Sequence, residues 1–285
     1  METIYTSERI TQQEKANQFY QLHHSDKLLI LPNIWDSLGA LLLENMGYPA
    51  VATASASIAF SRGFNDGEQI PFEEILVIIE RIATNINLPV TADIESGFAD
   101  NEKRLAENIR QVIKTGIVGI NFEDTDKKTG SLYSIETQCE RIKVIKKVAG
   151  EMDVPLFVNA RTDVYLRGKG PAEAKLDETI KRGIAYKNAG ADCFFPLAAQ
   201  KQSDIKAIVD NLQMPVNIIL IPGVPAIDTL HKTGVKRISL GPGFLKIAIK
   251  AMKNLAAKLQ SHEGLEEIAG NEITSDYLIN LVNNK

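Results

Sequence analysis

Residues 72–124 read FEEILVIIERIATNINLPVTADIESGFADNEKRLAENIRQVIKTGIVGINFED, and the fold can be worked out from them. FEEILVIIERIATNI and EKRLAENIRQVIKTG carry apolar residues at helical spacing. PVTADIE and GINFED are short apolar runs that end in acids. Helix, strand, helix, strand is the order of a parallel α/β sheet, because parallel strands need a crossover between them. The same alternation runs along the chain. Short runs occur at 28–33 (LLILPN), 50–55 (AVATAS), 89–95, 119–124, 155–162 (PLFVNART), 193–197 (CFFPL), 215–222 (PVNIILIP) and 237–241 (RISLG), eight in all. TQCERIKVIKKVAGE and LDETIKRGIAYKNAGA are among the helical stretches between them, and Gly47, Gly116, Gly150, Gly190 and Gly234 stand where helices should stop. Eight strands buried on both faces, with crossover helices, predict an α/β fold of the (β/α)8 TIM barrel type. No Gly-x-Gly-x-x-Gly follows the first run, so a dinucleotide-binding sheet gains nothing.

Working outward, residues 7–23 predict a helix ahead of the barrel, and FLKIAIKAMKNLAAKLQ a closing helix after it. A tail at 264–285 contains SDYLINLV, apolar enough to need a partner, either its own barrel or a neighbouring subunit. No linker interrupts the pattern, so 1–285 reads as a single barrel domain. Hydrophobic residues make up 44% of the 285, which supports a sizeable core. The net charge of −4 argues against a nucleic-acid partner, since tracking phosphates needs excess Lys and Arg. No run approaches a membrane span, and the first residues lack a signal-peptide core. Two cysteines at unrelated spacing suit a reducing cytoplasm.

In a barrel the chemistry gathers at the carboxyl ends of the strands. Here those ends are polar: PNIWDS (32–37), DIESGFAD (93–100), Glu123-Asp124 and NARTD (159–163), with Asp66 in the loop after the second strand. Asp93 and Glu95 are two apart, so on a strand they share a side, and Glu123 can join them. Clustered carboxylates need a cation. With oxygen donors only, Mg²⁺ or Mn²⁺ is expected rather than Zn²⁺. Arg161 ends an apolar strand and needs an anion; a substrate carboxylate is the preferred reading over a structural ion pair. Trp35 and Ser37 stand at the first strand end, where N–H groups after Ser37 suit a carboxylate and Ser37 could itself cap the helix. Asp100 reads as a helix N-cap. His23, His24, His231 and His262 lie away from strand ends and receive no catalytic role. Lys127 and Lys128 read as solvated loop residues.

LILPNIWDSLGA, TADIESGFAD, NFEDT, VNARTDVYL, NAGAD and SLGPG, in this order, resemble the isocitrate lyase/phosphoenolpyruvate mutase superfamily over nearly the whole chain. The resemblance implies a (β/α)8 barrel, a dimer or tetramer with a C-terminal helix exchanged between neighbours, and Mg²⁺-assisted chemistry on a pyruvate-like enolate. It implies Asp93 as direct metal ligand, with Asp66, Glu95 and Glu123 holding metal-bound waters. It implies Trp35, Ser37 and Arg161 as substrate contacts, with Arg161, Glu123 and Ser131 taken as catalytic candidates. The lyases' Lys-Lys-Cys-Gly-His loop is here DTDKKTGSLYS, without Cys or His. That disfavours isocitrate and methylisocitrate cleavage and leaves Ser131, Tyr133 or a metal-bound water as proton donor. Gly130 and Pro196 replace an Asn and a His of the phosphomutases. The expectation is therefore a lyase or decarboxylase acting on a small 2-oxo or 2-hydroxy dicarboxylic acid. A phosphoenolpyruvate mutase-like enzyme of carbon–phosphorus bonds and a non-catalytic 2-oxo acid binder are the alternatives. Segment 124–134 is expected to be a mobile gate over the site.

Overall fold

The structure, a computed structural model, describes residues 10–283. Its strands are β1 (Leu29–Leu31), β2 (Asn33–Ile34), β3 (Val51–Thr53), β4 (Val90–Asp93), β5 (Gly119–Glu123), β6 (Phe157–Thr162), β7 (Cys193–Pro196), β8 (Asn217–Ile219) and β9 (Arg237–Ser239). All pair in parallel. One sheet runs β2-β3-β4-β5-β6-β7 and the other β1-β9-β8. Pro32, which has no N–H to give a ladder, divides β1 from β2, so the two are one barrel strand in two pieces. A parallel bridge between Phe194 and Val216 joins β7 to β8. The ring thus closes with eight strand positions, as a (β/α)8 barrel.

Helix α1 (Gln12–His24) precedes the barrel. The expected start at Ser7 lies outside the described residues; Thr11 and Glu14 form a capping box there instead. The crossovers are α2 (Ser37–Asn45), α3 (Ser55–Ser61), α4 (Phe72–Asn85), α5 (Glu102–Lys114), α6 (Ile135–Glu151), α7 (Val164–Arg167), α8 (Ala172–Asn188), α9 (Gln202–Leu212) and α10 (Ile227–Thr233). After β9 come α11 (Gly243–Gln260), α12 (Leu265–Ala269) and α13 (Ser275–Asn283). Gly47, Gly116, Gly190 and Gly234 take positive φ at helix ends, but Gly150 lies inside α6, and Asp153 makes the left-handed turn two residues past that helix (φ 54°).

Strand residues alternate between two environments. Val90, Ala92, Ile94, Ile120, Phe122, Val158, Ala160, Ile218 and Ile238 face the helices and build the main core. Their neighbours Thr91, Asp93, Asn121, Glu123, Asn159, Arg161, Asn217, Arg237 and Ser239 therefore point to the barrel axis. At the amino-terminal mouth α1 acts as a plug. Phe19 and His23 are both fully buried, and their rings lie 5.2 and 4.1 Å from that of Phe157. Above the plug the interior is polar. The amide of Asn159 and the guanidinium of Arg237 both donate to Asn121 Oδ1, at 2.8 and 3.1 Å. Burial pulls Arg237 down to about 10. The acids sit at the open carboxyl mouth. Outside the barrel, α13 packs on α2 of its own chain, whereas α11 buries no residue.

Candidate active site

Asp93 ends β4, and its N–H donates to Thr53 Oγ1 at 3.0 Å. Its Oδ2 accepts from the Ser55 hydroxyl at 3.0 Å, and the same hydroxyl lies 3.4 Å from Asp66 Oδ1. Ser55 opens α3 and so links the two aspartates. Asp66 is on an exposed loop, yet shielding of its carboxyl, followed by the charge of Asp93, raises its pKa. Glu95 is not on the strand as the two-residue spacing suggested. The strand stops at Asp93, and Glu95 takes a left-handed conformation (φ 52°). Its N–H donates to Asp93 Oδ1 at 3.2 Å, so the acids still meet, through a turn. Glu123 ends β5, one strand over.

Lys127 was expected in solvent, and the structure corrects this. Its ammonium lies 2.6 Å from both Glu95 Oε2 and Glu123 Oε1, with the side chain only 19% exposed. Two buried carboxylates cannot do without a nearby cation, and that need outweighs the hydration of one lysine. Lys128 does stay outside, paired with Asp100 at 3.0 Å. Burial pushes Glu95 and Glu123 up to about 7 despite the lysine, while the two carboxylates raise Lys127. Arg161 spends its guanidinium on protein acids. Its NH1 is 2.8 Å from Glu123 Oε2, and Nε and NH2 donate to the two oxygens of Asp163 at 2.7 and 3.0 Å. These contacts are the structural pairing that the sequence reading ranked second. Asp163 stands two residues past Arg161, a spacing that signals a same-side partner in the sequence itself.

Segment 124–134 folds back on itself. Thr125 and Leu132 form an antiparallel bridge, Asp126 N donates to Ser131 O at 2.9 Å, and Gly130 turns at φ 70°. Asp124 anchors its base: Oδ2 accepts from Thr162 Oγ1, Tyr186 and Arg182 at 2.7, 2.8 and 3.0 Å. Ser131 is exposed at the turn. The Tyr133 ring stacks under the Arg141 guanidinium at 4.8 Å. Two cap assignments change. Asp36, not Ser37, caps α2, and Asn101, not Asp100, caps α5. Ser37 thereby keeps a buried hydroxyl with no partner at the start of α2, and Trp35 packs beside it against the core.

The donor set fits a hard divalent cation in one respect and is silent in another. Asp66, Asp93, Glu95, Glu123 and Asp163 carry five potential negative charges against three positive ones on Lys127, Arg161 and Arg167. The difference of two is what Mg²⁺ would balance. Among the described residues no three acid, His or Cys side chains converge on one point. Mg²⁺ commonly keeps several waters and one or two carboxylates, so this geometry suits it better than a closed protein cage.

The sequence family described as phosphoenolpyruvate phosphomutase matches residues 19–260. The chain belongs to the PEP mutase/isocitrate lyase superfamily. It is 28% identical to the 2-methylisocitrate lyase of Bacillus subtilis over 273 residues, 90% of this chain and 87% of that one. A Burkholderia cenocepacia J2315 protein described as a candidate phosphonomutase is 37% identical, with a TM-score of 0.80 over 87% of this chain and 99% of its own. The structure of a 2,3-dimethylmalate lyase, itself a superfamily member, shares the fold at 21% identity, with a TM-score of 0.82 over 95% of both chains. Superfamily membership thus joins this chain to proteins named both as lyases and as mutases.

Proposed function

We propose that the protein is a Mg²⁺-dependent lyase or decarboxylase for a small 2-oxo or 2-hydroxy dicarboxylic acid, working through a pyruvate-like enolate. The observation that carries this is the oxygen-only acid cluster of Asp66, Asp93, Glu95 and Glu123 at the open mouth, taken together with the unpartnered hydroxyl of Ser37 at the start of α2. A cation held by Asp93, with the other three acids on its waters, would supply Lewis-acid stabilisation of negative charge on the substrate. Ser37 and the N–H groups of α2 other than that of Gly39, which Asp36 takes, bind one carboxylate, because the helix end presents donors and a partial positive charge. Arg161 steadies Glu123 and lends positive charge to the substrate's far end. Lys127, its proton held tightly by two carboxylates, serves as a fixed charge rather than as an acid. Tyr133 and Ser131 remain the proton-donor candidates on segment 124–134.

The reading includes a cytoplasmic homo-oligomer. Cys139 and Cys193 are both free, and no described helix is long and apolar enough to cross a membrane. A second reading, a carbon–phosphorus bond enzyme, is favoured by the 37% identity to the candidate phosphonomutase. It is opposed by Pro196 and Gly130, which offer a phosphoryl group no side-chain donor. The test is a panel of 2-oxo and 2-hydroxy acids with Mg²⁺, read as pyruvate formed, run beside phosphonopyruvate. Pyruvate from a dicarboxylic acid supports the proposal, and turnover of phosphonopyruvate alone replaces it with the second reading. Oxalate binding without any turnover identifies a binding protein.

A further inference from the structure

Glu68 follows Asp66 by two residues and does not enter the chemistry above, yet its carboxylate takes up the N–H groups of the loop that carries Glu95. Its Oε1 accepts three: from Ser96 N at 3.0 Å, Ser96 Oγ at 2.7 Å and Phe98 N at 2.9 Å. Its own N–H donates to Glu95 Oε1 at 2.8 Å. The backbone it grips is costly to hold. Glu68, Glu95 and Phe98 all lie at positive φ, at 59°, 52° and 52°, a region that side chains other than glycine's rarely adopt. Such conformations persist only where surrounding bonds over-determine them, and they concentrate at functional sites.

The loop is held from two directions. On the helix side, Asn108 of α5 donates to the carbonyls of Gly97 and Phe98 at 3.0 and 2.8 Å, and Arg141 of α6 donates to that of Ser96. These contacts fix the loop to its own crossover helices. On the opposite side Glu68 takes up the N–H groups, and it alone belongs to the loop that carries Asp66. With three donors on it, Oε1 of Glu68 is committed to holding the loop. We propose that Glu68 is a positioning residue that locks the Asp66 loop to the Glu95 loop, so that these two acids are presented to the metal as one rigid unit. This rests on the reading of Glu95 and Asp66 as acids of the metal site. Residues outside the direct ligands commonly change metal affinity 10–100-fold when removed.

The test is a Mn²⁺ titration followed by electron paramagnetic resonance, with hydrogen exchange over residues 95–99, on Glu68→Ala, Glu68→Gln, Glu68→Asp and Glu95→Gln. Glu68→Gln keeps an oxygen of the same reach and should bind Mn²⁺ as the parent does. Glu68→Ala should bind about tenfold more weakly, with faster exchange at Ser96 and Phe98. If Glu68→Ala fails to fold, Glu68→Asp, whose shorter side chain withdraws the acceptor, carries the same expectation. Parent-like binding in the Ala or Asp variant, with weakened binding in Glu95→Gln, overturns the proposal and leaves the metal reading standing. Parent-like binding in Glu95→Gln as well removes the metal reading of Glu95 itself.

Discussion

Glu95 and Glu123 share one ammonium group, and the consequences can be measured. Lys127→Ala should cost about 3 kcal/mol of stability, because it leaves two buried carboxylates short of a cation. Mg²⁺ should then raise the melting temperature of the variant more than that of the parent; equal shifts would show that lysine and metal do not act on the same charges. Asp93→Ala should abolish Mg²⁺-dependent oxalate binding while circular dichroism stays unchanged, and retained binding would remove Asp93 from the metal site. At the other mouth, His23 presents Nδ1 to the Phe19 carbonyl at 2.8 Å, so its proton sits there and Nε2 is buried without a partner. Burial, and then the charge of Arg237, depresses its pKa to about 3. The unfolded chain binds a proton below about 6.5 that the folded chain refuses, so stability is lost as pH falls through that window. Between pH 7 and pH 5 the parent should lose about 2 kcal/mol more than His23→Phe, as read from urea melts. The acids were legible in the sequence because carboxylates ending apolar strands are conspicuous. Lys127 was not, since a loop has no periodicity to say which of two adjacent lysines turns inward.

Among the elements, strands and long helices were the most readable, because burial on both faces leaves continuous apolar runs and one-sided burial leaves a helical stripe. Their ends were not. PVTADIE reads on as a strand through Glu95, but the ladder stops at Asp93, where Glu68 and Asn108 draw the backbone into left-handed turns. Cap residues failed for a similar reason: neighbouring Asp36 and Ser37, or Asp100 and Asn101, have equal chemistry, and only the chain's entry angle selects one. The 124–134 hairpin is held by Lys127 at the site and by Arg167, which donates to Gly130 O at 2.9 Å. Trypsin should therefore cut slowly after Lys127 and faster after the exposed Lys128. Mg²⁺ with oxalate should slow both cuts if the hairpin closes over a bound ligand. Unchanged cleavage, together with unchanged turnover after shortening the hairpin, would reduce it to a connector.

Across the whole molecule, α11 leaves Ile247, Ile249 and Met252 at 67%, 52% and 66% exposure, on a helix that packs Phe244 against its own core but fully buries no residue. Apolar surface of this extent on a helix calls for a partner. The double variant Ile247→Glu, Met252→Glu should lower the mass seen by light scattering to that of one chain, and an unchanged mass would dissociate α11 from assembly. The barrel itself has one entrance. Phe19, His23 and Phe157 seal the amino-terminal end with packed rings, so nothing crosses the molecule from end to end. Traffic is therefore last in, first out. If one substrate is split into two fragments, the piece lying nearer the hairpin must depart before the piece lodged against Ser37 can follow. Inhibition by products should carry that sequence: the deep fragment competes with substrate for the empty enzyme, whereas the outer fragment rebinds only to enzyme still holding its sibling, and so inhibits in a pattern that more substrate does not relieve.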